Sequence, residues 1–432
     1  MLMMRIRFGL VLALALIATV SVRGIGAATH SDPLSLQDGP AAQSATQPSS
    51  QPATQPAASR PGGGRGRARN QPVEPPPPDY SPMIAIGVEH ILKVQEGETH
   101  AEWPYEGVYR VRGEIPIGYR IGGTALCATA LIRAPGYATD QERVDAVHRA
   151  VKFIIDGCAH PFMNPIYDGG YDVRGWGYTC GLAFLVELKT RNLVPADLAA
   201  DVEKTIRWFI DAICTTEIKQ VGGWNYARQQ GRDVVSPPSP FMTAPTLLAL
   251  FDARKAGYEV NPSVVDRAVK TLEDARTPGG SFRYSGVEGA NSNEPTPGAV
   301  GRMLASETTL LLAGKSSIAN VRGAIDAFIV HWEWLEKRRA KPGTHEPPYN
   351  IAPYYFYYAH YYAAMAVELL PQRERAEYRR RINDLLMKTR HDDGTWNDRV
   401  FERSSNFGTA MGIMALMMPD TPLPARWNID QP

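Results

Sequence analysis

The chain has 432 residues, 44% of them hydrophobic, which supplies a sizeable core and excludes a chain disordered throughout. Lys and Arg number 46 against 45 Asp and Glu, a net charge of +1, so no global attraction to nucleic acid follows. Four cysteines are too few for a disulfide-built scaffold.

Residues 1–28 carry Arg5 and Arg7, then an apolar run from Phe8 to Val22, then the small residues Gly24, Gly26, Ala27 and Ala28. That order predicts a secretory signal peptide cleaved after Ala28. The run is short for a spanning helix, which needs about 20 apolar residues, and an uncleaved anchor is the alternative. The expected location is secreted or periplasmic, with a membrane tether if the signal is retained. Residues 29–80 are rich in Pro, Gln and Gly and include Gly62-Gly63-Gly64 and the run Pro75 to Pro78. Such a segment buries little apolar surface and is predicted to be a disordered tether. A soluble spacer is the expected role, with peripheral contact of Arg65, Arg67 and Arg69 with an anionic cell envelope as the alternative.

A period begins at Ser81. Ile84, Val88, Ile91 and Leu92 fall on one helix face. The pattern returns at Val144–Ile154, Val202–Ile213, Val265–Leu272, Val321–Trp332 and Tyr378–Leu386. After each comes a loop, then a second helix richer in small and apolar residues, starting near Gly122, Tyr178, Met242, Met303, Tyr358 and Asn406. These starts recur about every 57 residues, the length of a helical hairpin with a long loop. A helix apolar all round is buried on all sides. The second helices are therefore predicted to be inner and the first ones outer. The fold class is all-α: six hairpins closing into an (α/α)6 toroid over residues 81–422, with an open solenoid as the alternative and 423–432 as a tail.

Glycines stand just ahead of aromatics at Gly222-Gly223-Trp224, Gly279-Gly280-Ser281-Phe282 and Asp393-Gly394-Thr395-Trp396, and more loosely at Gly175-Trp176. The last hairpin joins Arg381-Ile382-Asn383-Asp384-Leu385-Leu386 to such a turn. This resembles the QW repeat of squalene and hopene cyclases and the matching repeat of protein prenyltransferase β subunits, with Arg390 where the family has Gln. The resemblance implies the toroid and a central cavity for a hydrophobic, isoprenoid-like ligand. The Asp-x-Asp-Asp acid motif of the class II cyclases and the Asp-Asp-x-x-Asp motif of ionising terpene synthases are both missing from the sequence.

The prenyltransferase resemblance also implies a zinc set of Asp156, Cys158 and His360. The two parts of that set lie on hairpins two and five, which argues against it, and no cofactor is expected. Cys158 and Cys214 realign as equivalent outer-helix ends, so a disulfide or simple burial is expected for them. The catalytic candidates are Asp172 in the loop Tyr167–Trp176, Glu307 beside Thr308 and Thr309, and His360. For Glu307 the alternatives are a buried carboxylate and an exposed helix-start residue. The ligand-binding candidates are Trp176, Tyr178, Tyr354, Tyr355, Tyr358 and Tyr361, aromatics able to line an apolar cavity, stabilise a cation or stack on a sugar. The expected partner is a hydrophobic small molecule or a glycan, and not nucleic acid. The rival readings are a glycan-active or glycan-binding toroid and a non-catalytic interaction scaffold.

Overall fold

The computed structural model describes residues 78–166, 173–226, 236–285, 295–343, 345–352 and 355–427. The signal peptide and residues 29–77 of the expected tether thus fall outside the described residues. Twelve α-helices are described, and no strand is present among the described residues beyond isolated bridges. The outer helices are α1 (Ser81–Lys93), α3 (Gln141–Gly157), α5 (Ala199–Thr216), α7 (Pro262–Ala275), α9 (Ile318–Glu336) and α11 (Gln372–Met387). The inner helices are α2 (Ile117–Arg133), α4 (Arg174–Thr190), α6 (Pro240–Lys255), α8 (Thr296–Leu312), α10 (Tyr355–Val367) and α12 (Ser405–Leu416).

Each inner helix packs on the next, from α2 through α4, α6, α8 and α10 to α12, and α12 returns to pack on α2. That last contact closes the ring and excludes the open solenoid. The inner helices start one to seven residues ahead of the sequence-based positions, because first turns such as Thr296-Pro297-Gly298 suit a helix N-terminus but carry no apolar period. The inner helices are apolar nearly all round and correspondingly buried, whereas the outer helices bury one stripe. Small residues set the closest approach. At Gly122 of α2 an added Cβ would collide with the Trp176 ring, and at Gly118 with the Val173 carbonyl.

The repeat aromatics have a specific mechanical role. The indole N–H of Trp224 donates to Ile213 O at 2.8 Å in the last turn of α5, while its backbone N–H donates to Thr243 Oγ1 at 3.0 Å on α6. Trp396 does the same with Leu386 O (3.2 Å) and Thr409 Oγ1 (3.1 Å). Trp103 does so with Ile91 O (2.6 Å) and Thr124 Oγ1 (2.9 Å). Each tryptophan therefore donates to a carbonyl near the end of an outer helix and ties that end to its inner partner. Phe282 keeps the packing without the indole donor. Trp176 is not part of this set: it lies in the first turn of α4 and faces the ring axis.

Past α12, residues 421–427 cross to α6 and α8. Trp427 stacks on Phe251 with ring centroids 5.5 Å apart, and the Arg254 guanidinium lies 4.2 Å from its ring. Trp427 N donates to Leu312 O at 3.1 Å, and Ala425 N to Asp252 Oδ1 at 2.7 Å. None of the described helices is long and apolar enough to cross a membrane.

Candidate functional site

The axis of the ring has two different ends. Toward the N-termini of the inner helices it is filled by aromatic rings. Tyr105 lies 5.2 Å from Tyr119, 5.6 Å from Trp176 and 4.7 Å from Phe407, centroid to centroid. Across the axis Phe241 lies 4.6 Å from Tyr355 and 4.1 Å from Tyr358. The space left among these rings is only about 70 Å³.

Toward the C-termini the axis widens into a cavity of about 390 Å³. Leu126, Leu248, Ala249, Met365, Met414 and Leu423 supply apolar wall, and Thr421 to Pro424 of the crossing segment form part of its lining. Leu126, Thr179, Cys180, Pro245, Tyr361 and Tyr362 line both spaces, so the cavity continues into the aromatic centre.

Its polar side comes from the last turns of successive inner helices. Arg133 Nε and Nη2 donate to the two oxygens of Glu187 at 2.9 and 2.7 Å, and Arg191 Nε lies 2.9 Å from the same carboxylate. Arg133 Nη1 also donates to the Tyr361 hydroxyl at 3.3 Å. Burial pushes the Glu187 carboxyl up, but the Arg133 and Arg191 charges outweigh it and hold the carboxyl below its usual range. Asp252, on the same cavity, is pushed up to about 6, first by burial and then by the Glu187 charge, against the Ala425 N–H, which favours the ionised form. The cavity thus pairs an ionised carboxylate with one that takes up a proton just below neutrality.

Tyr361 lines the cavity, and Tyr358 and Trp176 line the aromatic centre. Tyr355 is buried against Phe241. Tyr178 instead turns away from the axis: its hydroxyl donates to Met163 O and its ring packs edge-on against Trp208. Asp172 and Tyr354 lie outside the described residues. Glu307 is buried in α8, not exposed at a helix start. It accepts from Arg276 Nε at 2.7 Å and Nη2 at 2.8 Å and from Ser316 Oγ, and it lines neither space.

His360 is buried and satisfied on both nitrogens. With Nε2 accepting from the Trp332 indole N–H at 3.0 Å, Nδ1 is left to donate to Phe356 O at 2.8 Å. Burial pushes its pKa down to about 4, so the ring is neutral and its lone pair is already used. Asp156 sits exposed on α3, 3.0 Å from Lys152. No group of three His, Cys, Asp or Glu residues able to hold a metal occurs among the described residues, so the zinc set does not assemble. Cys158 and Cys214 end equivalent outer helices as free thiols, not a disulfide. Burial pushes them up to about 12 and about 11.

Arg133, Glu187 and Asp252 carry no motif, and sequence reasoning missed them. Their one signal is a charge set into an otherwise apolar inner-helix stretch, as in Leu185-Val186-Glu187-Leu188 and Leu250-Phe251-Asp252-Ala253.

No protein-family model matches the sequence, and no curated protein does. Solved structures of similar fold include D-mannose isomerase, at 12% identity over 79% of this chain and 97% of that chain, with a TM-score of 0.52. Another is an inactive variant of the α-1,6-mannanase GH76A of Salegentibacter sp. HEL1_6 in complex with α-1,6-mannotetrose, at 11% identity over 79% and 100%, with a TM-score of 0.53. A type II terpene cyclase, MstE from Scytonema, aligns at 14% identity over 78% and 96%, with a TM-score of 0.45. At these identities the first two likenesses establish the α/α toroid and nothing finer.

Proposed function

We propose that this chain is a secreted toroid that holds a small amphiphilic molecule in the cavity at the C-terminal end of its inner helices. The observation that carries the reading is the cavity itself. Its volume of about 390 Å³ falls within the range of small-molecule sites, whereas the 70 Å³ among the central rings does not. Aliphatic and methionine side chains suit the apolar body of a ligand, and methionine adapts to irregular shapes. The Arg133–Glu187–Arg191 network and Asp252 offer the polar end its partners.

Ala183 is exposed and lines the cavity, so Ala183→Trp fills it without disturbing the core. Titration with farnesol and with dodecanoate, followed calorimetrically, is expected to show saturable binding to the natural chain and a loss of at least tenfold in Ala183→Trp. Equal binding by both proteins, or none by the natural chain, would refute the reading.

A further inference from the structure

The chain leaves α12 through one short helical turn, Met418–Asp420, and Thr421 to Pro424 then form part of the lining of the C-terminal cavity. Thr421 is tied back to that turn, its N–H donating to Met418 O at 3.1 Å and its hydroxyl to Met417 O at 2.9 Å. Between there and Ala425 the backbone crosses without support. Pro422 and Pro424 have no N–H to donate, and no hydrogen bond joins the backbone of Pro422, Leu423 or Pro424 to another part of the chain among the described residues.

On the far side two attachments hold the segment. Ala425 N donates to Asp252 Oδ1 at 2.7 Å. Two residues on, the buried Trp427 stacks on Phe251 and lies under the Arg254 guanidinium. Its carbonyl accepts from Arg254 Nη1 at 3.1 Å, and its N–H donates to Leu312 O at 3.1 Å. The two attachments differ in kind. Trp427 fastens the segment outside the cavity, because it is not among the lining residues. Asp252 lines the cavity, so the carboxylate that holds the segment down also faces whatever the cavity contains.

We propose that residues 421–427 are a gate on the C-terminal cavity, hinged at Met418–Asp420 and latched by Asp252 and Trp427, whose opening controls access to the cavity. A segment with so few backbone hydrogen bonds opens locally at a fraction of the cost of global unfolding. The two prolines stiffen its middle, so it moves as one piece about the turn that ends the ring. A polar group of a bound molecule that donates to Asp252 shares the acceptor with Ala425 N–H, so occupancy and latching act on the same carboxylate. Such a gate has a use only if the cavity is a binding site, as proposed above, but its movement is measured without a ligand, so the two readings fail separately.

Two native thiols make the test possible. Cys180 lines the cavity and its inner continuation, whereas Cys127 is 0% exposed and lines neither space. The full chain is treated with methyl methanethiosulfonate, and modification of each cysteine is followed in time by peptide mass spectrometry. The Cys180 rate is expected to rise about fivefold in Asp252→Ala, as for the loss of one hydrogen bond, and about tenfold or more in Trp427→Ala, which removes the stacked ring. Asp252→Asn keeps an acceptor for Ala425 N–H and is expected to stay close to the natural chain. Amide hydrogen exchange of the peptide covering residues 421–427 is expected to rise in the same order, and Cys127 to stay unchanged. If Trp427→Ala fails to fold, Asp252→Ala carries the test. Equal Cys180 rates in all the proteins overturn the proposal, because the cavity is then accessible whatever the segment does. A rise at Cys127 in step with Cys180 overturns it as well, because the segment is then a brace of the whole ring and not a gate.

Discussion

The two mouths of one ring treat buried charge in opposite ways. At the C-terminal mouth Arg133 and Glu187 meet in a two-pronged pair, Arg191 joins them, and the charges edge a cavity of about 390 Å³. At the N-terminal mouth Asp398, Arg399 and Arg339 are enclosed close together without pairing. Both sets are built from the same repeat, one from the last turns of inner helices and one from the loops that precede them. A paired set is a finished wall, around which a ligand takes up the remaining space. An unpaired set is left unsatisfied by the chain, and its carboxyl responds by holding its proton. The contrast separates where the molecule has room from where it has unmet hydrogen-bonding capacity.

The largest effect is expected at the paired end. Arg133→Met keeps most of the side-chain volume but leaves Glu187, itself largely enclosed, with Arg191 alone. Breaking a buried pair from one side is expected to cost about 3 kcal/mol, read as a lower denaturation midpoint at unchanged slope. Lys270→Met, which breaks the exposed pair with Asp274 on α7, is the control and is expected to leave the midpoint nearly unchanged. Equal costs would mean that the C-terminal pair is no more enclosed than a surface one, and the comparison would collapse.

A smaller effect, with its own signature, is expected at the unpaired end. Burial pushes Asp398 up to about 7, and the charges of Arg399 and Arg339 only partly oppose it. From about pH 4 to about pH 7 the unfolded chain has released this proton while the folded chain still holds it. The unfolded state then binds fewer protons, so stability falls as pH rises, by at most about 1.4 kcal/mol per pH unit from this group. A carboxylate with a depressed pKa, such as Glu187, gives the opposite slope. The stability difference between the natural chain and Asp398→Asn is therefore expected to shrink, or reverse against the natural chain, as pH rises from 4 to 7. A flat difference would show that Asp398 is already satisfied and the two mouths are alike.

The sequence discloses the frame better than either mouth, for a physical reason. Periodicity reports which face of a helix is buried, and six repeats report it six times, so outer and inner helices were both legible. The tie formed by Trp224 and Trp396 was legible as a glycine–aromatic turn. The same tie at Trp103 escaped because Ala101 and Glu102 precede it without a glycine, and Trp176 mimicked the turn while lying inside a helix. The zinc set that the resemblance implies was opposed in the sequence by its split over hairpins two and five, and the structure adds a reason no spacing shows: His360 spends its acceptor on the Trp332 indole. Arg133, Glu187 and Asp252 were illegible because each is one charge on a different helix, and only ring closure brings them to one cavity. Asp398 was hidden in the same way, since its departure from Tyr105, Tyr226 and Tyr284, each two residues past the turn aromatic of its own repeat, shows only once the loops are aligned by their structural role.

The smallest effect is expected where the two ends meet. Tyr361 lines both the cavity and the aromatic centre, and its hydroxyl accepts from Arg133 Nη1 at 3.3 Å, long for a hydrogen bond. Tyr361→Phe keeps the ring and removes only that oxygen. Arg133 retains Glu187, so the expected loss of stability is about 0.5 kcal/mol, at the lower end for a hydrogen bond. The same variant is expected to shift farnesol binding only slightly, because the ring and not the hydroxyl faces the apolar space, but to weaken dodecanoate binding a few-fold by removing a donor from the polar edge. Equal weakening of both probes would place the ligand over the ring at the aromatic centre. The division into a roomy end and a packed end would then have to be redrawn one helical turn closer to Tyr358.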